Sequence, residues 1–336
     1  MGRKLKVAVL GVTGAVGQEF LAILEQRKFP IETLKLLASS RSAGKKIEFM
    51  GKTYEVEEAT PESFKGLDLV LSSAGGAISR ALAPHIVKAG ALMVDNTSAF
   101  RMDLEIPLVI PEINPEDIAK HKGIIANPNC STIIMLVPLF PIHKVAKIKR
   151  ITAATYQAAS GAGAKAMEEL QLQAQDFLAG KKITPKVLPH QIAFNVFSHN
   201  SKIGPDGYCE EETKMVKETQ KIFHASEIRV TATCVRVPVL RAHSEALFIE
   251  TEKNISVEEV RSLLAKAPGV KVVDDRDKNY FPMPLEATGQ DDVLVGRLRV
   301  DPSAANGLAM FVSGDQIRKG AALNAVQIAE IAFNIK

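Results

Sequence analysis

The chain contains 336 residues, of which 46% are hydrophobic and 24% charged, and its formal net charge at pH 7 is +4. This length predicts about two domains and a core that needs neither a disulfide nor a metal ion to stabilise it. The composition is that of a globular protein and excludes disorder, a collagen-like repeat and a coiled coil. The basic runs are short and lack interleaved aromatic residues, so we expect neither a nucleic-acid partner nor a membrane-surface partner.

The longest apolar run, residues 133–142, contains two prolines and is too short to span a bilayer. The N-terminal segment reaches glycine after only a few apolar residues, so we do not expect a signal peptide. Three cysteines without paired spacing are typical of a reducing compartment. We therefore expect a cytoplasmic protein, with room for one reactive thiol.

Strands and helices alternate in the first part of the chain. The pattern predicts strands at 6–10, 33–38, 67–71 and 91–94, helices at 18–28 and 78–88, and a small hairpin at 47–57. Buried apolar strands separated by helices are typical of βαβ units. The sequence thus predicts an α/β fold that begins with a doubly wound, Rossmann-type parallel sheet.

The pattern changes near Asn127. Helices are predicted at 131–138, 164–178, 210–223 and 318–333, and strands at 151–156, 229–237, 245–251, 293–300 and 307–312. Grouped strands indicate a second, α+β domain with a mixed or antiparallel sheet. We expect residues 1–128 with 314–336 to form a dinucleotide-binding domain. Residues 129–313 would form the second domain, and the family resemblance of the motifs below makes it the catalytic domain and the oligomer interface.

Three glycines, Gly11, Gly14 and Gly17, lie between the first predicted strand and the first predicted helix. Glycines there let the backbone approach a pyrophosphate, which binds at the helix N-terminus. The alternative is an ordinary strand–turn–helix corner. We favour a dinucleotide site, to which the loop would contribute the following residues: Gly11, Thr13, Gly14, Ala15, Val16 and Gly17.

The end of the second predicted strand indicates which dinucleotide binds. An NAD site usually has an acidic residue there, whereas this chain has residues 39–42, Ser-Ser-Arg-Ser. The guanidinium of Arg41 and the hydroxyl of Ser42 suit the 2′-phosphate of NADP. A solvated turn is the alternative, and we expect NADP as the cofactor.

Cys130 follows the turn-rich segment Asn-Pro-Asn and precedes an apolar helix. Asn129 is predicted to be the N-cap, which places Cys130 in the first turn, where helix N-termini stabilise thiolates. Cys209 and Cys234 are expected to be structural. Among the histidines, His243 is the candidate acid–base partner because it lies where one predicted strand turns into the next. His190 and His199 are weaker candidates.

These segments resemble the aspartate-β-semialdehyde dehydrogenase family along essentially the whole chain. The resemblance rests on GVTGAVG, SSRSAGK, NTSAFR, NPNCST, YQAASGAG, ATCVRVPVLRAHSE and RKGAALNAVQIAE. The cysteine and histidine motifs are the most specific of these, and they imply that Cys130 and His243 act together. The family reduces L-aspartyl 4-phosphate with NADPH to the semialdehyde, through a thioester on the cysteine.

The resemblance implies roles for further residues. Gln157 would orient the substrate, and Arg236 would bind its α-carboxylate as a bidentate partner. Arg101, Asn129 and Lys214 would hold the phosphate. Glu211 would receive the substrate ammonium, although Glu210 and Glu212 leave the register open. The remaining cofactor contacts would come from Ser160, Gly161 and Gln316, the last replacing the Asn that relatives usually have.

Two other functions are weighed against this one. Reduction of another acyl phosphate, such as N-acetylglutamyl phosphate, would not need a carboxylate for a free ammonium. A non-catalytic dinucleotide-binding scaffold would have lost Cys130 or His243, and both are present. The expected partners are the small-molecule substrate, phosphate and further copies of the chain in a homodimer or homotetramer, and no metal is expected.

Overall fold

The computed structural model describes residues 3–335. The first elements in chain order are β1 Leu5–Leu10, α1 Ala15–Gln26, β2 Ile31–Ala38, β3 Lys46–Phe49, β4 Lys52–Glu58, β5 Leu69–Ser72, α2 Gly76–Lys88, β6 Leu92–Asp95 and β7 Ile124–Ala126. They are followed by α3 Cys130–Ala146, β8 Ile148–Gln157, α4 Ala164–Leu178, β9 Phe197–Ser198, α5 Glu210–Ile222, β10 Arg229–Arg236, β11 His243–Thr251, α6 Val257–Leu264, β12 Val270–Val272, α7 Pro284–Ala287, β13 Val293–Asp301, β14 Gly307–Gly314 and α8 Leu323–Ala332.

The chain forms two compact units. The first comprises the chain up to Asn129 together with the segment from Ala321 onward, and the second comprises Cys130–Gly320. Residues 314–320, which the sequence analysis grouped with the first domain, lie in the second unit. None of the helices within residues 3–335 combines the length and apolar character needed to cross a membrane.

The first unit is built on a seven-stranded sheet in the order β3-β4-β2-β1-β5-β6-β7. Every pair is parallel except β3 with β4, which form the predicted hairpin. All four residues of β5 and of β6 are buried, as expected for strands covered on both faces. Helices α1 and α8 contribute apolar side chains such as Phe20 and Val326 to its core. The predicted doubly wound fold is confirmed.

The second unit contains a seven-stranded mixed sheet in the order β12-β13-β14-β11-β8-β10-β9. Pairs β8–β10 and β12–β13 are parallel, and the remaining pairs are antiparallel. Helix α3 packs against β11, β13 and β14 and against α5 and α6. The chain thus places the start of α3 and the ends of β8, β10 and β11 in one unit.

Two predicted helices differ from the structure by more than a few end residues. Helix α3 runs through Pro138 and Pro141 to Ala146, whereas the sequence predicted its end at Pro138. Each proline removes a backbone hydrogen bond, but this helix buries apolar side chains all around, which offsets that loss. The predicted helix 318–333 begins as a π-helical turn at Arg318–Ala322 before α8.

Candidate active site

The glycine loop of the first unit connects β1 to α1. Gly11 has a φ of +86°, and a Cβ there would lie 2.6 Å from the Ser73 carbonyl oxygen. A Cβ on Gly17 would lie 2.6 Å from the Cα of Val12. Gly14 is the N-cap of α1 and supplies no side-chain cap. The open N–H groups of the first helical turn can therefore receive an anion, as a pyrophosphate site requires.

The turn after β2 lies beside this loop. Residues Ser40–Ser42 form a short 3₁₀ turn in which Arg41 is exposed. The hydroxyls of Thr13 and Ser42 lie 3.4 Å apart, which joins the turn to the glycine loop. Ala15 and Val16 are half-buried at the start of α1. The residues present fit a dinucleotide whose ribose carries a phosphate, because a cation and hydroxyls replace the usual acidic residue.

Arg101 and Asn129 are buried side chains of the first unit. Arg101 donates from Nε to the carbonyl oxygen of Asn127 at 2.9 Å and from Nη2 to that of Asn96 at 2.8 Å. These contacts hold the guanidinium in one orientation. Asn129 immediately precedes α3, at the position where the sequence predicted the N-cap.

Cys130 is the first residue of α3 and is half-buried. A Cβ on Gly320 would lie 2.9 Å from the Cβ of Cys130, so the glycine makes room for the predicted nucleophile. Burial lowers the pKa of Arg236, while the negative charges of Glu211 and Cys130 oppose that effect. Cys130 therefore lies within electrostatic range of the Arg236 guanidinium.

Gln157 is the centre of a buried network that reaches Ser131, the residue after Cys130. Its Nε2 donates to Ser131 Oγ at 3.1 Å and to Glu211 Oε1 at 3.2 Å. Glu211 Oε2 accepts from Lys214 Nζ, also at 3.2 Å. Ser131, the residue after Cys130, is thus connected through Gln157 to Glu211 and Lys214, which are expected to bind the substrate ammonium and phosphate.

The structure separates the three consecutive glutamates at the start of α5. Glu210 is exposed, and Glu211 is buried against Gln157. Glu212 accepts hydrogen bonds from the backbone N–H groups of Cys209 and Cys234, at 2.8 and 2.9 Å. Glu212 caps the helix, so Glu211 is the glutamate that faces the network.

His243 is fully buried at the start of β11. Burial lowers its pKa to about 3, and the positive charge of Arg236 acts in the same direction. Its Nδ1 accepts a hydrogen bond from the Ala158 backbone N–H at 3.0 Å, so the hydrogen of the neutral ring lies on Nε2. Within residues 3–335 this Nε2 has no hydrogen-bond partner. A buried, unpaired donor is thus available to a reacting group.

Arg236 lies opposite Gln157 in the register of β8 and β10. Its Nη1 donates to the Ala158 carbonyl oxygen at 3.1 Å and its Nε to Asn200 Oδ1 at 3.1 Å. Its Nη2 lies 2.9 Å from His199 Nε2. A guanidinium has five N–H donors, so these contacts leave one on each Nη nitrogen for a bidentate partner.

Gln316 uses both ends of its side-chain amide within the second unit. Its Oε1 accepts from the Ala242 backbone N–H at 2.8 Å, and its Nε2 donates to Ser160 Oγ. Ala242 has a φ of +72° immediately before His243. A Cβ on Gly161 would lie 3.0 Å from His243 Nε2, so any larger residue here would crowd the imidazole.

From the sequence, His199 was predicted only as a weaker candidate for the acid–base partner, and Asn200 had no predicted role. His199 and Asn200 contact Arg236 because the two-residue strand β9 pairs antiparallel with the end of β10. Ser131 and Ala158 were also missed, the second because only its backbone takes part. No sequence motif marks these contacts, since they depend on which strands become neighbours.

Comparison with known proteins places these sites in a family. A family model described as "Semialdehyde dehydrogenase, NAD binding domain" matches residues 6–121. A second, described as "Semialdehyde dehydrogenase, dimerisation domain", matches residues 139–319. An aspartate-semialdehyde dehydrogenase of Synechocystis sp. is 60% identical over 98% of both chains. The enzyme of that name from Bacillus subtilis is 50% identical, again over 98% of both chains.

Solved structures of aspartate-semialdehyde dehydrogenases have the same fold as this chain. The structure of Vibrio cholerae aspartate semialdehyde dehydrogenase II complexed with ASA has a TM-score of 0.96 at 45% identity, covering 99% of both chains. The structure from Candida albicans with NADP has a TM-score of 0.77 at 28% identity, covering 99% of this chain and 100% of that one. From its two domains, its near full-length relatives and its fold, this chain belongs to the aspartate-semialdehyde dehydrogenase family.

Proposed function

We propose that this enzyme reduces L-aspartyl 4-phosphate to L-aspartate 4-semialdehyde with NADPH, releasing phosphate. Such a reaction belongs to the biosynthesis of lysine, threonine, methionine and diaminopimelate. The observation that carries the proposal is the buried network of the second unit. It joins Gln157, Glu211 and Lys214 beside Arg236 and connects them to Ser131, next to Cys130.

Cys130 is the proposed nucleophile. Its thiolate attacks the acyl carbon, a C–S bond forms, and the C–O bond to phosphate breaks with the electron pair leaving on phosphate. Bound NADPH supplies the hydride that reduces the resulting thioester. The C–S bond then breaks, and its electron pair returns to the sulfur of Cys130. Positive charge from Arg236 favours the Cys130 thiolate both before it attacks the acyl carbon and after the C–S bond breaks.

His243 is the proposed hydrogen-bond donor to the reacting oxygen. Its ring is neutral and carries its hydrogen on Nε2. A neutral donor in a buried site stabilises the negative charge that develops on the carbonyl oxygen. The Ala158 N–H opposes protonation of Nδ1, since an imidazolium would direct a second N–H toward it.

Substrate recognition is assigned to charged side chains. The two N–H groups left on Arg236 suit the α-carboxylate, and the Glu211 carboxylate suits the α-ammonium. Lys214, Arg101 and Asn129 are proposed for the phosphate group. An N-acetylated substrate has no ammonium for Glu211, so we favour a free amino acid.

NADP is the proposed cofactor. The N-terminal turn of α1 would hold its pyrophosphate, and Arg41 with Ser42 would hold the 2′-phosphate. Ser160, Gly161 and Gln316 are proposed near the nicotinamide. Because Gln316 already bonds Ala242 and Ser160, a nicotinamide contact would have to share or replace one of these bonds.

We propose a homodimer in the cytoplasm, with a homotetramer as the alternative assembly. The second-domain family match is described as a dimerisation domain. The sheet face away from α3 carries the partly exposed rings of Tyr156, Phe248 and Phe311, which suit contact with a second copy. None of the three cysteines, which all lie within residues 3–335, forms a disulfide, as suits a reducing compartment.

The test is reverse-direction turnover. Purified enzyme is mixed with NADP, phosphate and either L-aspartate 4-semialdehyde or N-acetylglutamate 5-semialdehyde, and absorbance of reduced cofactor is followed. We expect turnover with the first aldehyde and loss of turnover in Cys130→Ser. Faster turnover with the N-acetylated aldehyde would reject the substrate, and absence of turnover with either aldehyde would reject the activity.

A further inference from the structure

His199 directly follows β9, in the long connection between α4 and α5, and contacts Arg236, one of the proposed substrate-binding residues. Its Nε2 lies 2.9 Å from Arg236 Nη2, and its Nδ1 lies 3.0 Å from Ser201 Oγ. Ser201 Oγ in turn accepts from the Glu211 backbone N–H at 3.2 Å. A chain of hydrogen bonds therefore runs from Arg236 through His199 and Ser201 to the start of α5.

The direction of these hydrogen bonds follows from the donor inventory. Arg236 has only donors, so His199 Nε2 must be the acceptor and carries no hydrogen. The hydrogen of the neutral ring then lies on Nδ1 and is donated to Ser201 Oγ. The Ser201 backbone N–H also points at Nδ1 from 3.2 Å, and a ring with its hydrogen on Nε2 would accept that bond but lose the one from Arg236. Acceptance from Arg236 requires a neutral imidazole without a hydrogen on Nε2.

We propose that neutral His199 is a positioning residue, which orients the Arg236 guanidinium so that its two remaining N–H groups point at the substrate carboxylate. The inference rests on the proposed function, because it gives Arg236 a carboxylate to bind. Asn200 supports the same guanidinium from Nε. His199 acts through Arg236 and does not touch the reacting atoms, which distinguishes it from Cys130 and His243.

The charges around His199 keep it in the required form. Burial lowers its pKa to about 4, and the cations Arg236 and Lys214 act in the same direction. The carboxylates of Glu211 and Glu212 oppose them. The ring is therefore neutral near pH 7. Protonation would replace the acceptor by an N–H that faces the guanidinium, and would release Arg236 from this contact.

The first test compares two substitutions of His199. His199→Leu removes the acceptor and should raise the KM for the semialdehyde about 10-fold or more, with little change in kcat or in the KM for phosphate. His199→Gln keeps an acceptor oxygen and should stay within about 3-fold of wild type. His190→Leu is the matched control, because His190 is exposed and contacts the Phe197 ring instead of Arg236.

The preference for an aldehyde with a carboxylate distinguishes a positioning role of His199 from a merely structural role, which would leave this preference unchanged. The ratio of kcat/KM for aspartate semialdehyde to that for 3-aminopropanal, which lacks the carboxylate, should fall in His199→Leu and be restored in His199→Gln. If both aldehydes lose activity equally, or if the two variants behave alike, the inference is wrong. A wild-type enzyme inactive with the semialdehyde would instead reject the proposed function.

The pH dependence tests the inference even if His199→Leu does not fold. The wild-type KM for the semialdehyde should rise as the pH approaches about 4, where His199 takes up a proton. His199→Gln cannot take up that proton and should lack this rise. An identical acid limb in both proteins would overturn the role given to His199.

Discussion

At the scale of single residues, the candidate site places opposite charges a few ångströms apart and keeps each one hydrogen-bonded. Glu211 is buried, yet it accepts from Gln157 and Lys214. Arg236 is buried, yet backbone and side-chain acceptors hold three of its donors. Partners of this kind reduce the cost of burying charge and leave the remaining donors in fixed directions.

The two proposed anion pockets can be distinguished by kinetics. Arg236→Lys keeps the charge but loses the fork, so kcat/KM for the semialdehyde should fall about 10- to 150-fold. Arg101→Ala should instead raise the KM for phosphate. The measurement is reverse-direction kinetics with the two substrates varied separately. The assignment is reversed if Arg236→Lys mainly affects phosphate and Arg101→Ala mainly affects the semialdehyde.

At the scale of elements, neighbouring strands place side chains in layers. Arg236 and Gln157 face each other across β10 and β8. Two residues back along each strand, Cys234 is the register partner of Thr155, and Thr155 is in turn the partner of Glu245 on β11.

Glu245 is fully buried, and neither carboxyl oxygen has a hydrogen-bond partner within residues 3–335. Burial, and then the charge of Glu211, raise the pKa of Glu245 well above its ordinary value. Burial therefore favours the neutral form of this carboxyl.

A neutral buried Glu245 makes stability depend on pH. The unfolded chain releases this proton above about pH 4.3, whereas the folded chain keeps it, so stability falls as the pH rises. Glu245→Gln removes the penalty, and its advantage in free energy of unfolding should grow by up to about 1.4 kcal/mol per pH unit above about pH 5. Urea unfolding at several pH values measures this.

Glu250→Gln is the control on the same strand. Glu250 is half-buried on the opposite face of the strand, and hydrogen bonding to Lys149 lowers its pKa. Its folded and unfolded forms are both ionised above about pH 5, so its substitution should give a difference that stays constant with pH. A constant difference for Glu245→Gln as well would show that Glu245 is ionised in the folded protein.

The turn after β2 carries a prediction for cofactor choice. Arg41 is exposed on a short 3₁₀ turn, and Ser42 lies against Thr13 of the glycine loop. Arg41→Ala should weaken NADPH far more than NADH, because only NADPH has a 2′-phosphate. Titration of each cofactor into both proteins measures the two dissociation constants. Equal losses for the two cofactors would assign Arg41 a structural role.

At the scale of the whole molecule, the two compact units hold different proposed tasks. The glycine loop and the Arg41 turn belong to the first, and the buried network around Gln157 belongs to the second. Arg101 and Asn129 are the proposed substrate ligands that come from the first unit. The chain of the second unit begins at Cys130, so the proposed nucleophile stands directly after the boundary.

Much of the fold and the family of the protein could be predicted from the sequence. The parallel sheet, the helix at 164–178 and the start of α3 near Cys130 follow from local apolar patterns and turn residues. The aspartate-semialdehyde dehydrogenase family and its enzyme class are confirmed by the comparisons. The continuation of α3 beyond Pro138 was not predictable, because burial on all sides is a tertiary property.

The finer organisation of the site also depends on tertiary structure. Glu210, Glu211 and Glu212 have the same chemistry, and only the packing of α5 decides which one meets Gln157. His199 reaches Arg236 only because β9 joins the sheet. The roles given to the site residues remain predictions, which the experiments described here test.

The most direct test of the central claim is a measurement of NADPH formed when enzyme is mixed with NADP and L-aspartate 4-semialdehyde without phosphate. If Cys130 carries the acyl group, the thioester should accumulate. We predict a rapid burst of NADPH stoichiometric with enzyme, an aspartyl adduct on Cys130 detected by mass spectrometry, and steady turnover only once phosphate is added. Steady turnover with no burst, or an adduct on Cys209 or Cys234 instead of Cys130, would contradict the account.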